Sequence, residues 1–309
     1  MRKTILIIGV CGILAHKYFM LLAAFLIFTA SPAFAENGVG VSGAVEWDRM
    51  EISAAFSLEL APSGIRLPSG RIRGEALIGD GYLRLIRPGI LGLLADSSST
   101  VADLISRGEW SLAEAENLAL AARSVPPALT PDLRYLSASY TLGLDRLSAA
   151  LIRHTRPSET IRTLSPSAAP AYTGIIIIAS EELPVHGRRA TEKTVPCLFP
   201  KIWDTDMNLI FERGMLEPAA AIMARYLPAR DIFAGSPSGL SARAASLVGD
   251  RPLRIFARGV FGINPTDPVI DSEDALLIIS REENRRLLRE GRVLIVLDDS
   301  VLKQPLDTE

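Results

Sequence analysis

Four residues between Leu183 and Asn208, in the run LPVHGRRATEKTVPCLFPKIWDTDMN, have the side chains of a reactive centre: His186, Cys197, Asp204 and Asp206. A thiol beside an imidazole, with a third group orienting the ring, is the equipment of a cysteine hydrolase, and the same residue types at closer spacing hold metals. The local sequence argues against both. Cys197 lies between Pro196 and Leu198 in VPCLFP, and apolar flanks of this kind predict a buried, inert thiol. His186, in PVHGRR, reads as a turn residue. Beyond residue 35 the chain has two histidines, His154 and His186, and one cysteine, too few for a Cys/His zinc centre. Asp204-Thr205-Asp206 lacks the glycine and the bidentate glutamate of a calcium loop. Asp-x-Asp-x-Asn between two β-like segments is ordinary turn chemistry.

Other candidates fare no better. Gly235-Ser236-Pro237-Ser238-Gly239 sets serines beside glycines, but Pro237 and the missing strand-to-helix elbow make it a loop. There is no glycine-rich dinucleotide fingerprint and no phosphate loop. The arginines of RPGILGLL and ENRRLLREGR are interspersed along helix surfaces, which is the pattern of a solvated face. The residues therefore name no catalytic group, cofactor or metal, and the expectation is a protein that is not an enzyme. A hydrolase built on Cys197 is a third reading without a substrate.

Arg2 and Lys3 precede two apolar runs, Thr4 to Leu14 and Tyr18 to Thr29, interrupted by His16 and Lys17. Ser31-Pro32-Ala33-Phe34-Ala35 follows. Pro32 stops the helical run, and Ala33 and Ala35 form the A-x-A pattern of a signal peptide, cleaved between Ala35 and Glu36. Neither run reaches the roughly 20 residues of a membrane span, and Cys11 has Val10 where a lipidation motif wants a small residue. The expected location is the periplasm or cell envelope, with no stable span after cleavage. Only Cys197 then remains, so no internal disulfide forms. A net charge of −2 with 48% hydrophobic and 22% charged residues predicts a folded, soluble chain with real cores and no attraction for nucleic acid.

The elements that must position these residues follow from pattern and punctuation. Val39–Trp47 and Glu51–Leu60 alternate and predict a hairpin. Gly70–Ile86 has helical spacing, with Pro88 expected to end or kink it. Thr100 and its serine neighbours cap a short helix over Val101–Arg107. Ser111 with Glu114 is a capping box for a helix running through Arg123 to Pro126-Pro127. Leu133–Leu142 reads as strand and Asp145–Arg153 as helix. Residues 155–171, with three prolines and no apolar period, form the expected linker between a domain over 36–154 and another over 172–309. In the second, Gly174–Ala179 is a buried strand, Lys201–Trp203 and Leu209–Phe211 a hairpin, Pro218–Tyr226 a helix and Leu253–Val260 a strand. A helix from a Ser272 cap to a Gly291 stop leads into a last strand, Val293–Leu297. The class is α+β: two packed α/β units with small mixed or antiparallel sheets covered by helices.

The order Tyr172-Thr173-Gly174 opening an apolar strand, Pro-Lys-Ile-Trp-Asp, Asn-Leu-Ile-Phe-Glu, Pro-Leu-Arg-Ile-Phe-Ala-Arg-Gly-Val, then Asp271-Ser272-Glu273-Asp274-Ala275 and a helix entering Val-Leu-Ile-Val-Leu resembles exported Lpp-type envelope proteins. These are related to the flagellar assembly protein T and P group, and the likeness is nearer to uncharacterised secreted proteins of spirochaetes. It covers Ala171 to Asp298, and more loosely the start of the mature chain. It implies a non-enzymatic structural or adaptor role, with envelope or flagellar basal-body proteins as partners. Many relatives carry a lipidated cysteine and an Asp-Ala-Arg continuation after the Thr-Gly strand, where this chain has Ile178-Ala179-Ser180. Trp203 and Asp204 are the candidate contact residues. The alternative is a periplasmic module binding a small ligand in a pocket at the domain junction.

Overall fold

The computed structural model describes residues 39–159, 168–232 and 239–306, together with the backbone of 33–35. Of the linker, 160–167 lie outside the described residues, as do Glu36 of the cleavage site and most of the 235–239 loop. Ala35 ends a short strand, β1 (Ala33–Ala35), which pairs antiparallel with β2 (Val39–Glu46). β2 turns at Met50, which takes a positive φ of 54°, into β3 (Glu51–Glu59). Alternation sends Ile52, Ala54, Phe56 and Leu58 of β3 inward. Over them lies α1 (Arg71–Gly92), burying Ile78, Tyr82, Leu85, Ile86 and Ile90. The Tyr82 ring stacks on Tyr140 at 4.1 Å and meets Phe56 edge-on, while its hydroxyl donates to the Ala119 carbonyl at 2.9 Å.

Pro88 does not end α1, which continues to Gly92. A proline inside a helix costs about 3 kcal/mol. Here Pro88 and Arg84, whose carbonyl loses its donor, both face solvent, while Ile86 and Ile90 on the other side are buried. Water serves the freed carbonyl and the buried stripe offsets the remainder. Then come α2 (Val101–Ser106) and α3 (Leu112–Leu120), each begun by a capping box, Thr100 with Asp103 and Ser111 with Glu114. Instead of running on to Pro126, the chain leaves α3 as β4 (Arg123–Leu129), paired with β5 (Tyr135–Gly143). Pro126 and Pro127 sit in a bulge of this edge strand, where no ladder donor is required. α4 (Leu144–Leu151) closes the unit, whose sheet order is β1-β2-β3-β5-β4.

The second unit has a parallel sheet and a mixed one. β6 (Ile175–Ile178) is central to the first. β7 (Glu182–Pro184) and β8 (Thr191–Lys193) form a small hairpin, and β9 (Ile202–Asp204) pairs antiparallel with β10 (Leu209–Phe211). Pro218 starts only a 3-10 turn, ended at Ala221 with φ 60°, and the chain enters β11 (Arg225–Pro228) rather than a helix. α5 (Ala229–Ile232) and α6 (Ala242–Val248) follow. The segment expected as one strand divides into β12 (Leu253–Phe256) and β13 (Gly259–Phe261), which belong to different sheets. After β14 (Asp267–Ile270), the long helix is two, α7 (Ser272–Ile279) and α8 (Glu282–Arg289), capped by Asp271 rather than Ser272. The break has a cause. Asn284 is buried, donates to the Leu277 and Pro170 carbonyls and accepts from the Tyr172 amide, so α8 is angled to hold the incoming chain. Gly291, at φ 65°, stops α8, and a Cβ there would lie 2.0 Å from the Ile222 carbonyl oxygen.

β15 (Val293–Leu297) completes the parallel sheet, ordered β11-β15-β6-β12; the mixed sheet is β10-β9-β14-β13. One face of the parallel sheet, with Ile176, Leu294 and Val296, is sealed by α6 through Ala244 and Val248. The other face, with Ile175, Ile177 and Ile295, joins a core continuous with that of the first unit. β15 is not the last strand. α9 (Asp299–Leu302) leads to β16 (Lys303–Pro305), which crosses back and pairs with β2. The class is α+β, as the sequence predicts, and no helix among the described residues is long and apolar enough to cross a membrane.

The returning tail gives the units a second connection, part of the second unit's chain but hydrogen-bonded to β2 of the first. Leu306 beyond it packs toward Gly43 and Gly89, where added Cβ atoms would meet its methyls at 2.8 and 2.7 Å. Ending the chain after Leu302 removes this ladder and the Leu306 contact. The expected loss is about 3 kcal/mol in urea unfolding, whereas an unchanged midpoint would make the tail an ornament.

Candidate functional site

The stretch that looked most chemical contains the seam between the units. Residues Val195 to Phe199 belong to no sheet and are bonded to several partners by their backbone. The amides of Leu198 and Phe199 donate to the Leu94 and Ala95 carbonyls of the first unit at 3.0 and 2.9 Å, and the Val195 amide donates to the Pro265 carbonyl at 2.9 Å. The Tyr226 hydroxyl accepts from the Cys197 amide and donates to the Cys197 carbonyl at 2.7 Å. Its ring meets Trp47 of the first unit edge-on at 5.8 Å. Burial pushes both the Cys197 thiol and the Tyr226 phenol well above their ordinary pKa values, and the nearby Asp267 carboxylate raises the thiol further. A thiol so placed does not ionise at neutral pH, so it is not a nucleophile.

Beneath Cys197 lies a buried carboxylate that the sequence did not single out. Asp267 is fully buried and, among the described residues, has no counter-ion. It accepts from the Thr266 hydroxyl at 2.8 Å, the Lys201 amide at 3.1 Å and, weakly, the Trp203 indole at 3.5 Å, with the Ser97 hydroxyl of the first unit as a further donor. Burial outweighs these donors and raises its pKa. Ser97 reaches this point because residues 95–99 form a tight loop, closed by the Ala95 amide on the Ser99 carbonyl, that inserts between Gly262 and Asn264. Gly262 must be glycine: its φ is 121° and a Cβ would lie 2.4 Å from that of Ser97. The only sign in the sequence is the run Asp96 to Thr100, which reads equally well as helix-cap residues.

The remaining candidates are dispersed. Asp204 is buried and accepts from the Asp206 and Asn208 amides and the Asn208 side chain, so it builds the β9–β10 turn and presents nothing outward. Of the pair proposed as a contact, Trp203 alone is partly open. Its ring packs edge-on against Phe261, and Phe261 in turn meets His186. The Asp206 carboxylate accepts from the Ser272 hydroxyl at 2.7 Å. His154 donates from Nε2 to the Leu216 carbonyl at 2.7 Å, across the seam. Among the described residues no group of three or more His, Cys, Asp or Glu is arranged to hold a metal.

Where the seam reaches the surface it opens into a cleft of about 630 Å³. The first unit lines it with Asp96, Glu109, Leu151, Arg153 and His154, the second with Phe199, Lys201, Glu212 and Arg213. Arg213 lies over the Phe199 ring and pairs with Glu109 at 3.1 Å, and Arg213 and then Arg107 hold the Glu109 carboxyl below its usual range.

Two outcomes follow from the buried groups. Native protein should not react with a disulfide thiol reagent until it is unfolded, and Cys197→Ala should cost about 2 kcal/mol of packing; rapid native labelling would reverse the reading of Cys197. For Asp267 the folded pKa lies above the ordinary 3.8, so folding favours the protonated form. Its contribution is complete below about 3.8 and is lost as pH rises through the folded value. Asp267→Asn cannot ionise, so in urea unfolding the wild type should lose stability relative to the variant as pH rises above about 4. Parallel profiles would mean that Asp267 ionisation is not linked to folding.

No curated protein matches the chain. Two family profiles do: residues 38–150 match one described as Treponema pallidum Tp0624, N-terminal domain, and residues 174–299 match Treponema pallidum Tp0624, second domain. Neither description names an Lpp-type or flagellar-assembly protein. Over 38–150 and then 174–299 the chain is therefore similar, in the same order, to the N-terminal domain and the second domain of Treponema pallidum Tp0624.

Proposed function

We propose that this protein is an exported, non-enzymatic component of the periplasm or cell envelope that acts as a structural adaptor through protein contacts. The observation that carries the reading is the seam. Cys197, Tyr226 and Asp267 are buried where the two units meet, and Asp204 is buried and committed to the β9–β10 turn. A body that holds two surfaces in fixed relation suits an adaptor. Export is supported by the basic, apolar and A-x-A succession at the N-terminus. The partner class comes from the resemblance of the C-terminal half to Lpp-type envelope and flagellar assembly proteins, and consists of envelope or basal-body proteins.

The contact surface on this reading is the mixed sheet around Trp203 and Phe261, beside which Ile263 is 68% exposed. Aromatic anchors flanked by exposed aliphatic groups are common at the centres of interfaces. Cross-linking in envelope fractions followed by mass spectrometry should recover basal-body or outer-membrane proteins with the wild type, and markedly less with Ile263→Glu, whose exposed position spares the fold. Recovery of the protein alone, or equal recovery with the variant, would contradict the adaptor reading or this surface, respectively.

A further inference from the structure

We infer that the cleft between the two units binds a small zwitterion, a free amino acid or short peptide whose ammonium and carboxylate lie at opposite ends of the site. The argument rests on which charges in the cleft are already answered. Glu109 is held by Arg107 and Arg213, and Arg153 by both oxygens of Glu114 at 2.9 Å. Lys201 and Glu212 differ. Among the described residues neither the Lys201 ammonium nor the Glu212 carboxylate has an ion pair or a hydrogen bond to a side chain, and the two do not pair with each other although both line the same cleft. The Lys201 backbone is pinned, its amide donating to Asp267, so the ammonium projects from a fixed base.

Two opposite charges held apart over one cavity are matched by one ligand carrying both. The ammonium of such a ligand faces Glu212 and its carboxylate faces Lys201, each forming a charge-assisted hydrogen bond. Leu151 and Phe199 supply the apolar wall for a side chain between them. His154 is fixed on the same wall by its Nε2–H bond to the Leu216 carbonyl. The volume lies within the usual range for small-ligand sites, about 300–1,000 Å³. A polyanion such as a nucleotide would meet the carboxylates of Asp96, Glu109 and Glu212, and a purely apolar ligand would strand the charges.

Calorimetric titration of the purified full chain distinguishes these cases, and because it needs no partner, its result is separate from that of the cross-linking. The probe is alanyl-leucine, compared with its N-acetylated and its C-amidated forms. The free dipeptide should bind saturably. Each blocking group should weaken it by about ten-fold or more, the loss expected for one hydrogen bond to a charged group. The acetylation penalty should vanish in Glu212→Gln and the amidation penalty in Lys201→Met. Lys201→Met keeps the backbone amide on Asp267, so its unfolding midpoint should match the wild type. Absence of saturation by the free dipeptide, equal binding of free and blocked forms, or penalties that persist in both variants would overturn the inference.

Discussion

Everything in this molecule depends on how residues 195–199 satisfy their backbone. A buried amide without a partner costs a few kcal/mol, and this segment passes through the interior with no sheet of its own. It solves the problem by bonding outward to both units, to Leu94 and Ala95 on one side and to Pro265 and the Tyr226 hydroxyl on the other. The units cannot separate without exposing or orphaning these groups. Ser97 against Gly262, the Trp47–Tyr226 ring contact and the β16–β2 ladder are consequences of the same closure.

The parallel sheet reinforces the arrangement. Strands covered on both faces read as unbroken apolar runs, which is why Ile175–Ile178 and Val293–Leu297 show no alternation. Their two faces nonetheless have different neighbours: α6 closes one, and the other opens into a core shared with the first unit. The second unit therefore has no complete interior of its own. Polar groups caught between the units had to be satisfied internally, and Asp267, ringed by donors yet lifted in pKa by burial, shows how that was achieved with no counter-ion among the described residues. At the rim, where water returns, charge no longer has to be paired, and Lys201 and Glu212 stand open.

Elements governed by neighbouring residues were legible. The β2–β3 hairpin, the N-cap run Asp96 to Thr100, the capping box at Ser111, the Asp204 turn, the Gly291 stop and the buried Cys197 each follow from a few residues that touch one another. The misreadings have other causes. Whether Pro88, Pro126 or Pro127 breaks an element depends on which side of it faces solvent or lies at a sheet edge, and Pro218 opens only a 3-10 turn because the chain is turned at Ala221 into β11. The division of α7 from α8 depends on Asn284 reaching Pro170, more than a hundred residues away in the chain.

The sequence by itself determined the class of the fold, most local elements and the inertness of the lone interior thiol, because periodicity, capping and flanking burial act within a turn or two of chain. Only the tertiary structure decided that residues 195–199 are a seam, that Ser97 meets Asp267, and that Lys201 and Glu212 face one cleft. Those are contacts between segments distant in the chain, selected by the joint satisfaction of buried polar groups and the filling of a shared core.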